Sequence, residues 1–172
     1  MTQRYYTNER NAQIVISLLK QYGIKKVIAS PGTTNMAFVG SVQQDPFFEV
    51  YSSVDERSAA YMACGLAAQS GEAVVLSCTG ATASRNYLPG LTEAFYRKLK
   101  VVAITSTQPQ ERIGHLIPQV IDRSTPPRDV VKYSTYLPTL NGNEGDEWHC
   151  IVEVNKALIE LTLSGGGPVH IN

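Results

Sequence analysis

The sequence carries no excess of charge: 15 Lys and Arg stand against 15 Asp and Glu. That balance gives no electrostatic reason to expect nucleic acid or an anionic membrane as a partner. Cysteine is scarce. Cys64, Cys78 and Cys150 are odd in number and form no CxxC pair. A disulfide framework and a zinc knuckle are both disfavoured, no metal site is expected, and a reducing cytoplasm fits. No apolar run is long enough to span a bilayer, and the N-terminal stretch contains no signal core. Neither a G-x-G-x-x-G fingerprint nor a Walker A loop is present. A nicotinamide dinucleotide or a P-loop nucleotide is therefore a weak expectation. What is there is a chain of 172 residues, 43% hydrophobic and 17% charged. It is globular in composition and long enough to bury one core without a covalent staple.

Periodic helices alternate with short apolar strands. Thr7 and Asn8 can cap a helix through Tyr22, closed by Gly23; a strand over 25–30 stops at Pro31-Gly32. A helix is expected from about Thr33 to Gln44, a strand over 47–51, and an Ala-rich helix from Arg57 to Ser70 closed by Gly71. The run Ala73 to Cys78 is apolar without alternation, as in a parallel strand covered on both faces. A helix over about 83–97, a strand over 101–105 and a Pro-broken loop over 108–129 follow. A strand near 131–136, a helix over about 145–163 and a strand over 169–171 complete the chain. This order predicts one domain over 1–172 of α/β class, three-layered, with an open, mostly parallel sheet and helices on both faces. The abrupt stop after the last strand is expected of a domain cut from a longer protein.

In such sheets ligands sit beyond the carboxyl ends of the strands. Three segments reach that edge: Ser30 to Thr34, Ser53 to Arg57, and Cys78 to Ala83. Glu56 is the most informative position, a carboxylate at a strand-to-helix junction followed by small residues. At that junction alone, favourable contact with a helix N-terminus explains it. Cys64 and Cys78 read as inert core thiols, His149 and His170 as structural, and Tyr5-Tyr6 as packing.

The neighbours of Glu56 add a resemblance. Asp55-Glu56-Arg57 with Ser58 to Ala67 resembles the segment that carries the cofactor glutamate in thiamine-diphosphate-dependent enzymes. Thr79-Gly80 to Asn86, Ala29-Ser30-Pro31-Gly32, Val102 to Pro109 and Gly167 to Asn172 are similar to further segments of the same N-terminal, pyrimidine-binding domain, in order. Asp55-Glu56-Arg57 and Asn86-Tyr87-Leu88-Pro89-Gly90-Leu91 look closest to the synthases of menaquinone biosynthesis, with acetolactate-synthase-like enzymes next. The resemblance implies a thiamine-diphosphate-binding fold in a 2-oxo acid decarboxylase or carboligase. It implies that Glu56 hydrogen-bonds N1′ of the pyrimidine and so activates the cofactor. Pro31, Gly32, Thr79, Gly80 and Asn86 are the implied cofactor neighbours. Thr33, Arg57, His115 and Gln119 are candidates for the substrate side, His115 as a possible acid or base. A partner domain, on the same or another chain, would hold the diphosphate through Mg2+, in a homodimer or tetramer. This chain alone would then bind the cofactor weakly.

Two departures qualify the likeness. Thr33-Thr34-Asn35 stands where the menaquinone synthases have Ser-Arg-Ser, so the anion clamp for that acceptor is missing and another acceptor stays open. Gly145-Asp146-Glu147 lacks the pattern of a diphosphate site and reads as a helix start. A non-catalytic or regulatory binding module, and a separate small subunit of a two-chain decarboxylase, also remain open.

Overall fold

The computed structural model describes residues 5–172, so the first four residues of the N-terminal stretch lie outside it. Six strands form one sheet in the order β2-β1-β3-β4-β6-β5. They are β1 (Lys26–Ala29), β2 (Glu49–Ser52), β3 (Val74–Cys78), β4 (Val101–Thr105), β5 (Tyr133–Thr135) and β6 (Val169–Ile171). Every pairing is parallel. The helices are α1 (Arg10–Gln21), α2 (Met36–Val42), α3 (Glu56–Ser70), α4 (Ala81–Arg85), α5 (Leu88–Tyr96) and α6 (Glu144–Glu160). All five residues of β3 and of β4 are buried, which is why those runs are apolar without alternation.

Two cores flank the sheet. One packs aliphatic side chains of α1, α2 and α6, including Leu19, Val42 and Leu158, against Val27, Val75 and Val102. The other packs Ala59, Ala60 and Ala63 of α3 with Leu91 and Ala94 of α5 over Ile28, Leu76 and Ala103. The alanines allow close approach. A Cβ on Gly90 would lie 2.5 Å from the Ala60 Cβ, and the Cys64 thiol donates to the Gly90 carbonyl at 3.1 Å. Gly71 ends α3 at φ 71°, a left-handed turn that glycine adopts without strain.

The structure moves several expected boundaries. Glu9 is the N-cap of α1 without a side-chain cap bond, while the Thr7 hydroxyl accepts from the Glu9 N–H instead. The expected helix over 33–44 is a 3-10 turn over Thr33–Asn35 followed by α2. Asn35 is tied back to β1: its side-chain oxygen accepts from the Gly32 N–H at 2.8 Å and its amide donates to the Ser30 carbonyl at 3.1 Å. β2 starts late because Asp45 holds the Phe47 and Phe48 amides in a turn. The expected helix over 83–97 is two helices. Pro89 in the first turn of α5 has no N–H to continue the α4 ladder. His149, read as structural, is exposed on α6.

Candidate cofactor and substrate site

The strand order reverses at β1, with β2 on one side and β3 on the other. Beyond the carboxyl ends of two strands that diverge in this way, an α/β sheet leaves a crevice. Pro31-Gly32 follows β1 and Thr79-Gly80 follows β3, so both turns border that crevice. They touch closely: a Cβ on Gly32 would fall 2.2 Å from Thr79 Cγ2, and one on Gly80 would fall 2.2 Å from the Ser106 carbonyl oxygen. Both positions therefore require the bare backbone that glycine gives. Ala81, the first residue of α4, sits at φ 56°, a left-handed conformation costly for a residue with a Cβ.

Glu56 is the first residue of α3. Asp55 caps that helix, accepting from the Arg57 and Ser58 N–H groups. Those backbone bonds, with help from the Ser58 hydroxyl and Arg57, hold the Asp55 carboxyl below its usual range. The cap thus takes Asp55 and leaves the neighbouring Glu56 carboxylate, half-buried, free for other work. Its contact within the site is Asn86, whose amide donates to Oε2 at 3.4 Å. Asn86 follows α4, so the Thr79-Gly80 turn and Glu56 are linked through one short helix. Burial pushes the Cys78 thiol up to about 12 and Cys64 to about 11, so both are the inert thiols expected.

The structure brings together Gly32, Thr79 and Gly80 at the crevice, and Glu56 with Asn86 beside it. Pro31 is exposed at its rim. Arg57 is exposed on α3. Thr33 lies elsewhere on the same edge, in an open groove of about 990 Å3 that also takes in Gln108, Tyr136 and His149, and that Glu56 does not line. His115 and Gln119 are exposed on the loop after β4, with no side-chain hydrogen bond to the crevice residues among the described residues.

Sequence reasoning missed a buried polar network at the ends of β4, β5 and β6. The Thr105 hydroxyl accepts from Arg123 Nη1 at 2.6 Å and donates to Asn172 Oδ1 at 2.9 Å. Its one proton is then spent, so His170 Nε2, at 2.7 Å, must carry the hydrogen and donate. Burial first, and Arg123 second, lower His170 to about 3, so the ring is neutral at neutral pH. Arg123 is turned inward by its neighbours. The Asp122 carboxylate accepts from the Ser124 N–H and hydroxyl, and Arg85 donates to the Asp122 carbonyl at 2.7 Å. Asp122-Arg123-Ser124 is an Asx-turn signature, the one signal in the sequence that marks this position.

A parallel doubly wound sheet, a glycine-bordered switch-point crevice and a helix-start carboxylate define a cofactor-binding α/β domain. Residues 10–125 match the thiamine pyrophosphate enzyme, N-terminal TPP binding domain. The chain belongs to that family. It is 38% identical over 167 residues to the 2-succinyl-5-enolpyruvyl-6-hydroxy-3-cyclohexene-1-carboxylate synthase of Bacteroides fragilis, which covers 97% of this chain and 30% of that protein. The synthase of the same name from Lysinibacillus sphaericus is 33% identical over 158 residues, 92% of this chain and 28% of that protein. Among solved structures, a Rhodococcus jostii thiamine diphosphate-dependent 4-hydroxybenzoylformate decarboxylase superposes with a TM-score of 0.78 at 24% identity, over 94% of this chain and 29% of its own. The chain thus spans about 30% of the length of the curated relatives it matches. No helix is long and apolar enough to cross a membrane among the described residues.

Proposed function

We propose that this chain is the pyrimidine-side half of a thiamine-diphosphate site in a 2-oxo acid decarboxylase or carboligase, with Glu56 as the activating carboxylate. The observation that carries the reading is the division of labour at the start of α3. Asp55 satisfies the helix terminus, and the adjacent Glu56 carboxylate is left beside the crevice with Asn86 as its contact there. The residues fit the group: a flat ring can approach the bare backbone at Thr79-Gly80, and a carboxylate stands near it to bond a ring nitrogen.

When bound, thiamine diphosphate supplies the electron sink on which a 2-oxo acid loses carbon dioxide. This chain's residues do the positioning. Glu56 holds or shares a proton at the pyrimidine, Asn86 orients its carboxyl, and Pro31, Gly32, Thr79 and Gly80 wall the ring. Thr33, Arg57, His115 and Gln119 remain the candidates for the substrate side once a partner domain covers the edge. Mg2+ and the diphosphate belong to a partner domain, and the assembly works in the cytoplasm. The exposed Val54 before α3 and Tyr61 and Met62 along it suit burial against a second copy or that domain, in a dimer or tetramer.

Glu56→Gln keeps the shape and removes the proton exchange. Turnover in the assembled enzyme is expected to fall at least about tenfold, or ~1.4 kcal/mol of barrier, with the fold retained. A variant that keeps more than a tenth of the activity, under that ~1.4 kcal/mol, contradicts the role. Calorimetric titration of this chain alone with thiamine diphosphate and Mg2+ is expected to show weak binding.

A further inference from the structure

Arg123 is 5% exposed, and among the described residues it forms no salt bridge. Its backbone N–H donates to the Tyr136 hydroxyl at 3.2 Å, and Nη1 is committed to Thr105. Nε is buried with no partner. No hydrogen bond to Nη2 is present among the described residues. Nη2 lies 3.3 Å from where a side chain on Gly80 would begin, a point that is 2.2 Å from the Ser106 carbonyl oxygen. The Nε–Nη2 edge is the side of a guanidinium whose two N–H groups run parallel, and a carboxylate meets it with two hydrogen bonds. A cation taken out of water without a counter-charge is expensive, and bonds to the neutral Thr105 and Tyr136 hydroxyls do not compensate it. The charges around it offer no relief: Tyr136 and Cys78 are neutral near pH 7, and Arg85 carries the same sign.

We propose that the Nε–Nη2 edge of Arg123, behind the Thr79-Gly80 turn, is the receptor for a small carboxylate ligand. Thr105, His170 and Asn172 are positioning residues. They fix Nη1, and with it the plane of the guanidinium, leaving the two-pronged edge for the ligand. If the reading of the previous subsection is right, the carboxylate is that of the 2-oxo acid. Its clamp then sits in the loop after β4 and not in Thr33-Thr34-Asn35, which carries no charge. The inference deepens that reading, and its test requires neither thiamine diphosphate nor Glu56.

The experiment is a titration of this chain at constant ionic strength with acetate, pyruvate and 2-oxoglutarate, and in parallel with inorganic phosphate and chloride. The readouts are the Arg123 Nε–H resonance and the melting temperature. The carboxylates are expected to move that resonance saturably and to raise the Tm, phosphate to do so more weakly and chloride not at all. Arg123→Lys, which keeps the charge and loses the fork, is expected to weaken carboxylate binding about tenfold. Arg123→Met is expected to melt no lower than the parent without ligand and to gain nothing from carboxylate. The proposal is overturned if no carboxylate produces a saturable shift in the parent chain, or if phosphate or chloride matches the carboxylates. It is also overturned if Arg123→Lys binds carboxylate as well as the parent. If Arg123→Met alone melts lower, the cation is a structural element and the proposal fails. Failure here with a cofactor-dependent Glu56→Gln phenotype intact would leave the thiamine reading standing.

Discussion

Glu56 and Arg123 stand at the same carboxyl edge of the sheet, near the same Thr79-Gly80 turn, and are held in different ways. Glu56 is half-buried and reached by one long bond from Asn86. Arg123 is buried and fixed by a saturated hydroxyl, an Asx turn and a phenol. The Cys78 thiol at the end of β3 is pushed up chiefly by burial. The difference teaches what each side is built for. A lightly held carboxylate on an open surface suits a proton-sharing group that a second surface covers. A rigid, uncompensated cation suits a fixed receptor.

The rigid side is the easier to break. His170 stays neutral down to about 3 in the folded chain, whereas its usual value is 6.5. Below pH 6.5 the unfolded chain takes up a proton that the folded chain refuses, so stability falls as pH drops and levels off near 3. The slope is up to about 1.4 kcal/mol per pH unit. Glu153 adds a separate loss at lower pH. Desolvation pushes its carboxyl up, but bonds from Lys156, Tyr133 and Thr135 outweigh it and hold it near 2 against the usual 4.5, so its contribution goes between those values. Denaturant titrations from pH 6.5 to 4.5 therefore isolate His170, and His170→Gln is expected to flatten that window.

Gly80→Ala strikes the turn that both sides share. The new methyl meets the Ser106 carbonyl oxygen, and a loss of about 1–3 kcal/mol by denaturant unfolding is expected. Asn86→Ala tests the light side alone. Stability is expected to change by under about 0.5 kcal/mol, while turnover of the assembled enzyme falls about tenfold, ~1.4 kcal/mol. An equal fall in both would place Asn86 among the structural residues. Smallest is Ala81→Gly. It relieves the left-handed strain and is expected to raise stability by under about 1 kcal/mol in the same unfolding assay.

Much of this was legible in the residues. The unbroken apolar runs of β3 and β4, the Gly71 stop and the carboxylate at the head of an alanine-rich helix lie in local pattern and survive folding unchanged. What was not legible depends on contacts distant in sequence. The bend of the chain into α4 and α5 turns on Pro89, and the delay of α2 turns on Asn35 bonding back to Ser30. Arg123 sits in a loop without period, where a single polar residue carries no burial signal. Its inward turn depends on Thr105 and Tyr136, which lie on other segments. His149 is exposed because its position on α6 follows the helical phase of Cys150 and Val154, which take the buried face.

The most direct test is the rate at which thiamine diphosphate, bound to the assembled enzyme, exchanges its thiazolium C2 hydrogen in deuterium oxide. With Glu56 intact the exchange is expected to run at least about tenfold faster than with Glu56→Gln. Equal rates in the two proteins, both with cofactor bound, would contradict the account.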